Sequence, residues 1–514
     1  MSWEARPHEQ HLAHKDPRHA EKAGPARGRL WEVPDVVPVS LQDVVHRGES
    51  GLREVSGQVH LFSVLDDRLA LDVASGAVHL LDRISWDVLT GISGPDPTCS
   101  LARSIHGHER VDEVEREIDA LIENGTLFLP LPRYPGPDSH LPLKALCMNV
   151  SHDCNLRCGY CFALTGTFGA NRSLMSTPVG RASVDYLIAR SGARETVEMD
   201  FFGGEPLMNM PTVRATVAYA REREESSGKD FKFTLTTNAT LLTGETAAFL
   251  NRERMQVVLS LDGRKDTNDV WRCYPDGRGS HDLVVDNMLR FLQTRDFSDY
   301  YVRGTYTRKN LDFSRDARHL LDLGINAFSL EPVVADPSLD YAIRDDDLPA
   351  VFSEYDRLTS LYLKRWEEGR PFTFYHFELD LTGGPCLRKR MSGCGAGGEY
   401  LAVAPDGSIY PCHQFDGMPG FKMGTVYAKA APGGGGAGDG KGHVSSLFAG
   451  AALPNKPRCA GCWARFYCGG GCFAAAWARN GNLRDPDPVA CEIQKKRLEC
   501  AIYAQAKKQS PVVG

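Results

Sequence analysis

At 514 residues the chain is long for a single core and suggests roughly two to four domains. Its 66 acidic residues outnumber 59 lysines and arginines, and a net charge of −7 gives no basis for sequence-independent binding to nucleic acid or to an acidic membrane surface. The first residues are polar, with no apolar h-region, and no apolar run is long enough to span a bilayer, so the protein is expected in the cytoplasm.

Residues 1 to about 56 are rich in His, Arg, Glu, Pro and Gly. His8, His11, His14 and His19 have no thiolate or carboxylate framework beside them, so this stretch reads as a solvated, disordered extension and not as a metal tail. From Gln58 the texture changes. Strands are predicted over 59–64, 69–73 and 77–81, with Ser75-Gly76 as a hairpin-like turn. A helix follows over 111–124, carrying Val114, Ile118, Leu121 and Ile122, and 125–129 reads as a short closing strand. Three strands with helices make a small winged-helix-like module over 57–135, and the prolines between 130 and 142 mark a linker.

Residues 143–370 alternate strand and helix signals. Strands are expected at 145–150, 197–202, 231–236, 256–261, 300–306 and 327–330, with helices such as 177–191, 211–225, 244–252 and 280–293 between them. Alternation of this kind predicts an α/β fold with a parallel sheet and right-handed crossovers. The region from about 385 to 505 is glycine- and cysteine-rich, and its low-complexity segment 431–442 reads as a flexible surface insertion.

Fifteen cysteines in a large chain with no secretory signature point to metal, not to a disulfide scaffold. Cys154, Cys158 and Cys161 form C-x3-C-x2-C on a loop after the first predicted barrel strand. A [4Fe–4S] cube held by three thiolates keeps one iron open for a ligand, whereas zinc would want a fourth protein ligand here. After the second strand comes Gly203-Gly204-Glu205-Pro206, whose glycines allow close backbone approach and whose carboxylate can accept from an ammonium. Ser260 and Asp262 end the fourth strand, and Arg303 lies on the fifth, where a guanidinium can clamp a carboxylate. Further on, Cys394 is followed by Gly407 and Cys412 as C-x12-G-x4-C, then by Cys459, Cys462, Cys468 and Cys472 as C-x2-C-x5-C-x3-C, and last by Cys491. A zinc ribbon competes for the paired cysteines, but seven do not divide into four-ligand zinc sites.

These motifs resemble the radical S-adenosylmethionine (SAM) enzymes, whose loop motif carries an aromatic before its third cysteine, here Tyr160. The resemblance implies a partial (β/α)6 barrel over 143–370. It also implies a cube whose open iron chelates SAM, reductive cleavage to a 5′-deoxyadenosyl radical, Gly203 to Pro206 holding the SAM amino group, Ser260 and Asp262 at the ribose, and Arg303 at the carboxylate. The seven later cysteines resemble the SPASM domain. That likeness implies an outer auxiliary cluster on Cys459, Cys462, Cys468 and Cys491 and an inner one on Cys394, Cys412 and Cys472. Three [4Fe–4S] clusters would then have ten thiolates for twelve irons, leaving a second opening for a substrate thiolate unless Cys386 closes it. Cys99, Cys147, Cys273 and Cys500 read as structural.

From residue 58 the chain resembles the SCIFF-type thioether maturases, through Asp72-Val-Ala-Ser-Gly-Ala-Val-His79, Cys147-Met-Asn-Val-Ser-His-Asp-Cys154, Asp200-Phe-Phe-Gly-Gly-Glu-Pro-Leu-Met208 and Gly393-Cys-Gly-Ala-Gly-Gly-Glu-Tyr400. This implies sulfur-to-carbon cross-linking of a ribosomally made, Cys-rich precursor peptide. The N-terminal module would take the leader peptide as an added strand, and a flavodoxin or ferredoxin would supply electrons. The long N-terminal extension and the glycine insertion depart from that pattern. The alternatives are a maturase of a protein subunit of the quinohemoprotein amine dehydrogenase type, a peptide epimerase or C–C cross-linker, and a non-enzymatic iron–sulfur electron carrier.

Overall fold

The computed structural model describes residues 58–94, 96–131, 142–381, 391, 393–428 and 441–509. The extension over 1–56, Cys386 and nearly all of the insertion over 431–442 lie outside them. Strands β1 (Val59–Val64), β2 (Asp67–Asp72) and β3 (Val78–Leu81) form an antiparallel sheet in that order. Helices α1 (Arg83–Ile92), α2 (Ser100–His106) and α3 (His108–Glu123) follow, and the Asp82 side chain caps α1 by accepting from Ser85 N at 2.8 Å.

Alternation along the first two strands divides this sheet between two cores. Val59 and Ala70 pack with Val88, Val114 and Ile118 from the helices. Phe62, Val64, Leu69 and Leu71 face the other way and join the main core of the molecule.

The strand expected over 125–129 is not formed. Gly125, at φ +67°, turns the chain at the end of α3, and Thr126 N reaches back to the Leu121 carbonyl at 3.0 Å. This helix-terminating turn takes the backbone groups that a ladder would need, while Leu127 and Phe128 still bury their side chains.

The larger sheet has ten strands in the order β10-β9-β8-β7-β6-β5-β4-β11-β12-β13. Its parallel body is β4 (Ala145–Ser151), β5 (Thr196–Gly203), β6 (Asp230–Thr237), β7 (Gln256–Ser260), β8 (Tyr300–Tyr306), β9 (Ala327–Pro332) and β10 (Thr373–Phe374). Between them run α4 (Thr177–Arg190), α5 (Met210–Ser227), α6 (Gly244–Arg252), α7 (Lys265–Trp271), α8 (His281–Gln293), α9 (Phe313–Asp322) and α10 (Leu348–Glu367). Met148, Val150, Met199, Phe201, Phe233, Leu235, Leu259, Val302 and Leu330 point outward into the core under the helices. The intervening positions therefore face the inside of the curved sheet: Cys147 and Asn149, Asp200 and Phe202, Ser260, Tyr301 and Arg303, Ser329 and Glu331.

The Gly- and Cys-rich region continues this sheet. Strand β11 (Tyr400–Val403) pairs parallel with β4, and β12 (Ser408–Tyr410) and β13 (Gly424–Thr425) extend it antiparallel. Gly407 makes the β11–β12 turn at φ +83°, where a Cβ would stand 3.1 Å from the Val426 side chain. Helices α11 (Lys441–Gly450), α12 (Phe473–Asn480) and α13 (Pro488–Gln509) complete the chain, with single helical turns at Pro457–Ala460 and Arg465–Cys468. Helix α13 ties the parts together. Arg497 pairs with Glu331 of β9 at 3.2 Å, Glu499 meets His60 of β1 at 2.9 Å, and Tyr503 and Lys507 both reach Asp67. No helix among the described residues is long and apolar enough to cross a membrane.

Candidate active site

The three-cysteine loop leaves the C-terminal end of β4, the end where parallel barrels place their chemistry. A strap just past the end of β7 pins it. Arg157 N donates to the Cys273 carbonyl at 2.7 Å, Gly159 N donates to the Trp271 carbonyl at 3.1 Å, and a Cβ at Gly159 would stand 2.9 Å from the Trp271 ring. Burial pushes the Cys154 and Cys158 thiols up to about 12, so a metal is what would hold them as thiolates.

The neighbouring backbone is packed tightly. A Cβ at Gly204 would lie 2.2 Å from the Asp153 carbonyl oxygen, and one at Gly166 would lie 2.8 Å from Cys154 Cβ. Three thiols on one short loop, walled by glycine backbone, fit a cube with one open iron.

The other expected SAM contacts are placed unevenly. Glu205 is fully buried and already engaged: Oε1 accepts from Leu207 N at 3.0 Å and Thr237 Oγ1 at 2.7 Å, and Oε2 accepts from Asn238 N at 2.8 Å. It clamps the ends of β5 and β6 together, and burial still pushes its carboxyl up to about 7. The main chain of Gly203 and Gly204 is therefore the better partner for an ammonium group. Pro206 is buried at the start of the next helical turn.

Asp262 is also committed. Its Oδ2 accepts from Tyr160 Oη at 2.5 Å, and its Oδ1 accepts from Thr305 N at 2.9 Å and stands 3.0 Å from Arg272 Nε. These contacts join the three-cysteine loop to the end of β7 and to β8. Ser260 and Arg303 lie side by side in register on β7 and β8. Arg303 is exposed to the lumen and makes no hydrogen bond or ion pair among the described residues, so it is available for a carboxylate.

Sequence reasoning missed Arg272, buried beside Cys158 with its guanidinium over the Tyr160 ring at 5.6 Å. Its signal was the Trp271-Arg272-Cys273 tripeptide, an aromatic and a cation at the end of the short helix α7.

The fold collects the seven later cysteines into two sets. Cys472 lies near enough to Cys394 and Cys412 to disfavour their ionisation, and Cys462 and Cys468 lie near enough to Cys459 and Cys491 to disfavour theirs. Among the described residues no three His, Cys, Asp or Glu side chains close on a point as one metal ion requires.

The segment after Cys412 packs on the cluster loop. Asp416 accepts from Asn149 Nδ2 at 2.6 Å and meets His152 Nε2 at 2.9 Å, and a Cβ at Gly417 would stand 2.3 Å from the Phe168 carbonyl oxygen. His413 sits against Phe162 and Phe202 at 5.5 and 5.0 Å between ring centroids, and burial holds it down at about 4, so it is neutral at pH 7. A cavity of about 300 Å³ opens between Tyr160, Cys161 and Phe162 on one side and Gln414, Met418 and Trp477 on the other.

Residues 148–295 match the Radical SAM superfamily, and the chain is an enzyme. A match to that superfamily implies a [4Fe–4S] cluster and SAM. The chain is 25% identical over 307 residues to a cysteine-type anaerobic sulfatase-maturating enzyme of Clostridium novyi, covering 56% of this chain and 77% of that protein. It is 22% identical over 382 residues to the radical SAM cyclopropyl synthase TigE of Paramaledivibacter caminithermalis, covering 69% and 72%. Among solved structures, the native anSMEcpe with bound AdoMet shares the fold at a TM-score of 0.58 and 17% identity, over 71% of this chain and 99% of that one.

Proposed function

We propose that this enzyme installs thioether cross-links, from cysteine sulfur to carbon, in a ribosomally made Cys-rich precursor peptide. The observation that carries this reading is the 300 Å³ cavity walled jointly by the radical-generating loop and by the segment that follows Cys412. A substrate there would lie between the three-thiol loop and the three-thiol set of Cys394, Cys412 and Cys472. When bound, the loop cluster and SAM supply a 5′-deoxyadenosyl radical that removes one hydrogen atom from a substrate carbon.

This chain's residues do the remaining work. Gly203 and Gly204 present main chain to the SAM amino group, Arg303 holds its carboxylate, and Ser260 lies next to Arg303 for the ribose. The Tyr160–Asp262–Arg272 network fixes the loop. Phe162, Phe202 and neutral His413 line the way with rings that exclude water. The inner auxiliary set of Cys394, Cys412 and Cys472 would hold a cluster with one position left for the substrate sulfur, and that cluster would take up the electron released as the thiol loses its proton and the C–S link forms. The four-thiol set completes three clusters, and a flavodoxin or ferredoxin serves as reductant. The β1–β3 module receives the leader peptide on the free edge of β3, where Leu80 is exposed.

The relatives support a peptide substrate. One is named a maturase of sulfatases, and a related anSMEcpe structure holds AdoMet with a cysteine peptide named Cp18Cys. Anaerobic co-expression with a neighbouring short, Cys-rich open reading frame tests the proposal by mass spectrometry. Each cross-link should lower the peptide mass by two hydrogens and remove one alkylatable thiol. A two-hydrogen loss with every thiol still free would favour a C–C cross-linker, and an unchanged mass with altered stereochemistry would favour an epimerase.

A further inference from the structure

Two cations in the C-terminal region are buried without a counter-charge. Lys456 is 1% exposed and Arg465 is 2% exposed. Lys456 Nζ donates to the Gly470 carbonyl at 3.0 Å and stands 4.8 Å from the Phe473 ring centroid. Arg465 Nη1 donates to the carbonyls of Ala460 and Cys462, both at 3.0 Å, while its Nε and Nη2 are buried with no partner. Among the described residues no carboxylate lies within salt-bridge distance of either.

A buried cation is costly to hold without an anion, and unpaired buried N–H groups add to that cost. The groups beside Lys456 are thiols, and Arg465 grips the main chain of the thiol residue Cys462. Lys456 is flanked by Cys459, Cys468, Cys472 and Cys491, and Arg465 lies midway between Cys462 and Cys468 in the chain. The backbone accommodates this, since a Cβ at Gly470 would press on the Lys456 side chain at 3.2 Å. A cube with a two-plus core and four thiolates carries roughly two net negative charges, which two cations balance.

We propose that Arg465 and Lys456 are the counter-charges of the outer four-thiol cluster, with the unpartnered Nε and Nη2 of Arg465 donating to its sulfur atoms and thereby setting its reduction potential. Both are positioning residues for the cluster and not catalytic ones. A purely structural Arg465 would staple the loop through Nη1 alone and would leave the potential unmoved. A cation and hydrogen-bond donors beside a cluster favour its reduced, more negative form.

This inference rests on the reading of the seven cysteines as auxiliary-cluster ligands, and the experiment separates the two. The full chain carrying Cys154→Ala, Cys158→Ala and Cys161→Ala is reconstituted anaerobically, so that remaining iron and EPR signals come from the C-terminal region. Absence of iron there would overturn the auxiliary-cluster reading and this inference with it. With iron bound, Lys456→Met and Arg465→Met are each expected to lower the midpoint potential. The shift should reach at least a tenfold change in the reduced fraction at fixed poise, about 59 mV for one electron. Lys456→Arg should restore it. If Arg465→Met does not retain iron, Arg465→Lys is expected to retain it with a smaller shift. Intact iron with an unchanged potential in Lys456→Met would overturn the inference and leave the clusters standing.

Discussion

Glu205, in the Gly-Gly-Glu-Pro motif, has a carboxyl already engaged by the protein. Its carboxyl is held by three hydrogen bonds, yet burial outweighs them and pushes it from 4.5 to about 7. Between those values the folded apoprotein holds a proton that the unfolded chain has lost, so stability falls as pH rises through that window, by about 3 kcal/mol over its width. Glu205→Gln cannot ionise. Urea denaturation of the apoprotein at pH 5 and pH 7.5 should therefore show a smaller pH difference for the variant than for the parent; an equal difference would exclude Glu205 as its source. Residue types at the site were legible because chemistry restricts them: three cysteines for a cube, glycines for close approach. Whether a side chain is free was not legible. Asp262 is consumed by Tyr160, Arg272 and Thr305, while Arg303, one strand away, is open.

At the scale of elements, the six barrel strands and the helices between them follow from alternation and from caps and prolines that local sequence displays. The failure over 125–129 has a local cause, since a glycine after a helix is a terminator before it is part of a strand. The docking of α13 is a tertiary matter. Arg497 meets Glu331 at the lumen wall, and His376 is the carboxylate's second partner at 2.7 Å. Arg497→Met breaks an enclosed pair and is expected to cost about 3 kcal/mol. Lys507→Met, which breaks a half-exposed pair with Asp67, should cost less than about 1 kcal/mol. Urea midpoints measured on both variants test this ranking, and equal losses would contradict it.

Across the whole molecule, the domains expected from composition are joined more closely than a linker suggests. The Gly- and Cys-rich region adds strands directly to β4, and Trp463, next to Cys462, stacks on His60 of β1 at 3.9 Å. Phe62, Val64, Leu69 and Leu71 lie in the main core, each contributing about 2 kcal/mol by burial. A chain beginning at residue 142 would bare the surface that covers them. It is expected to give little soluble protein compared with the full chain, as size-exclusion yield would reveal; a well-folded truncation would show the module to be independent.

Sequence alone determined the three-cysteine loop, the seven later cysteines and the α/β class, because cysteine spacing and hydrophobic period are written locally in the chain. Tertiary structure decided which groups remain open. It committed Glu205 and Asp262 to clamping strands, left Arg303 facing the lumen, brought the segment after Cys412 against the three-cysteine loop, and enclosed Lys456 among thiols and Arg465 against the Ala460 and Cys462 carbonyls. These outcomes depend on burial and on partners far apart in the chain, where the desolvation of a charge or an N–H group is set by the packed fold and not by its neighbours in sequence.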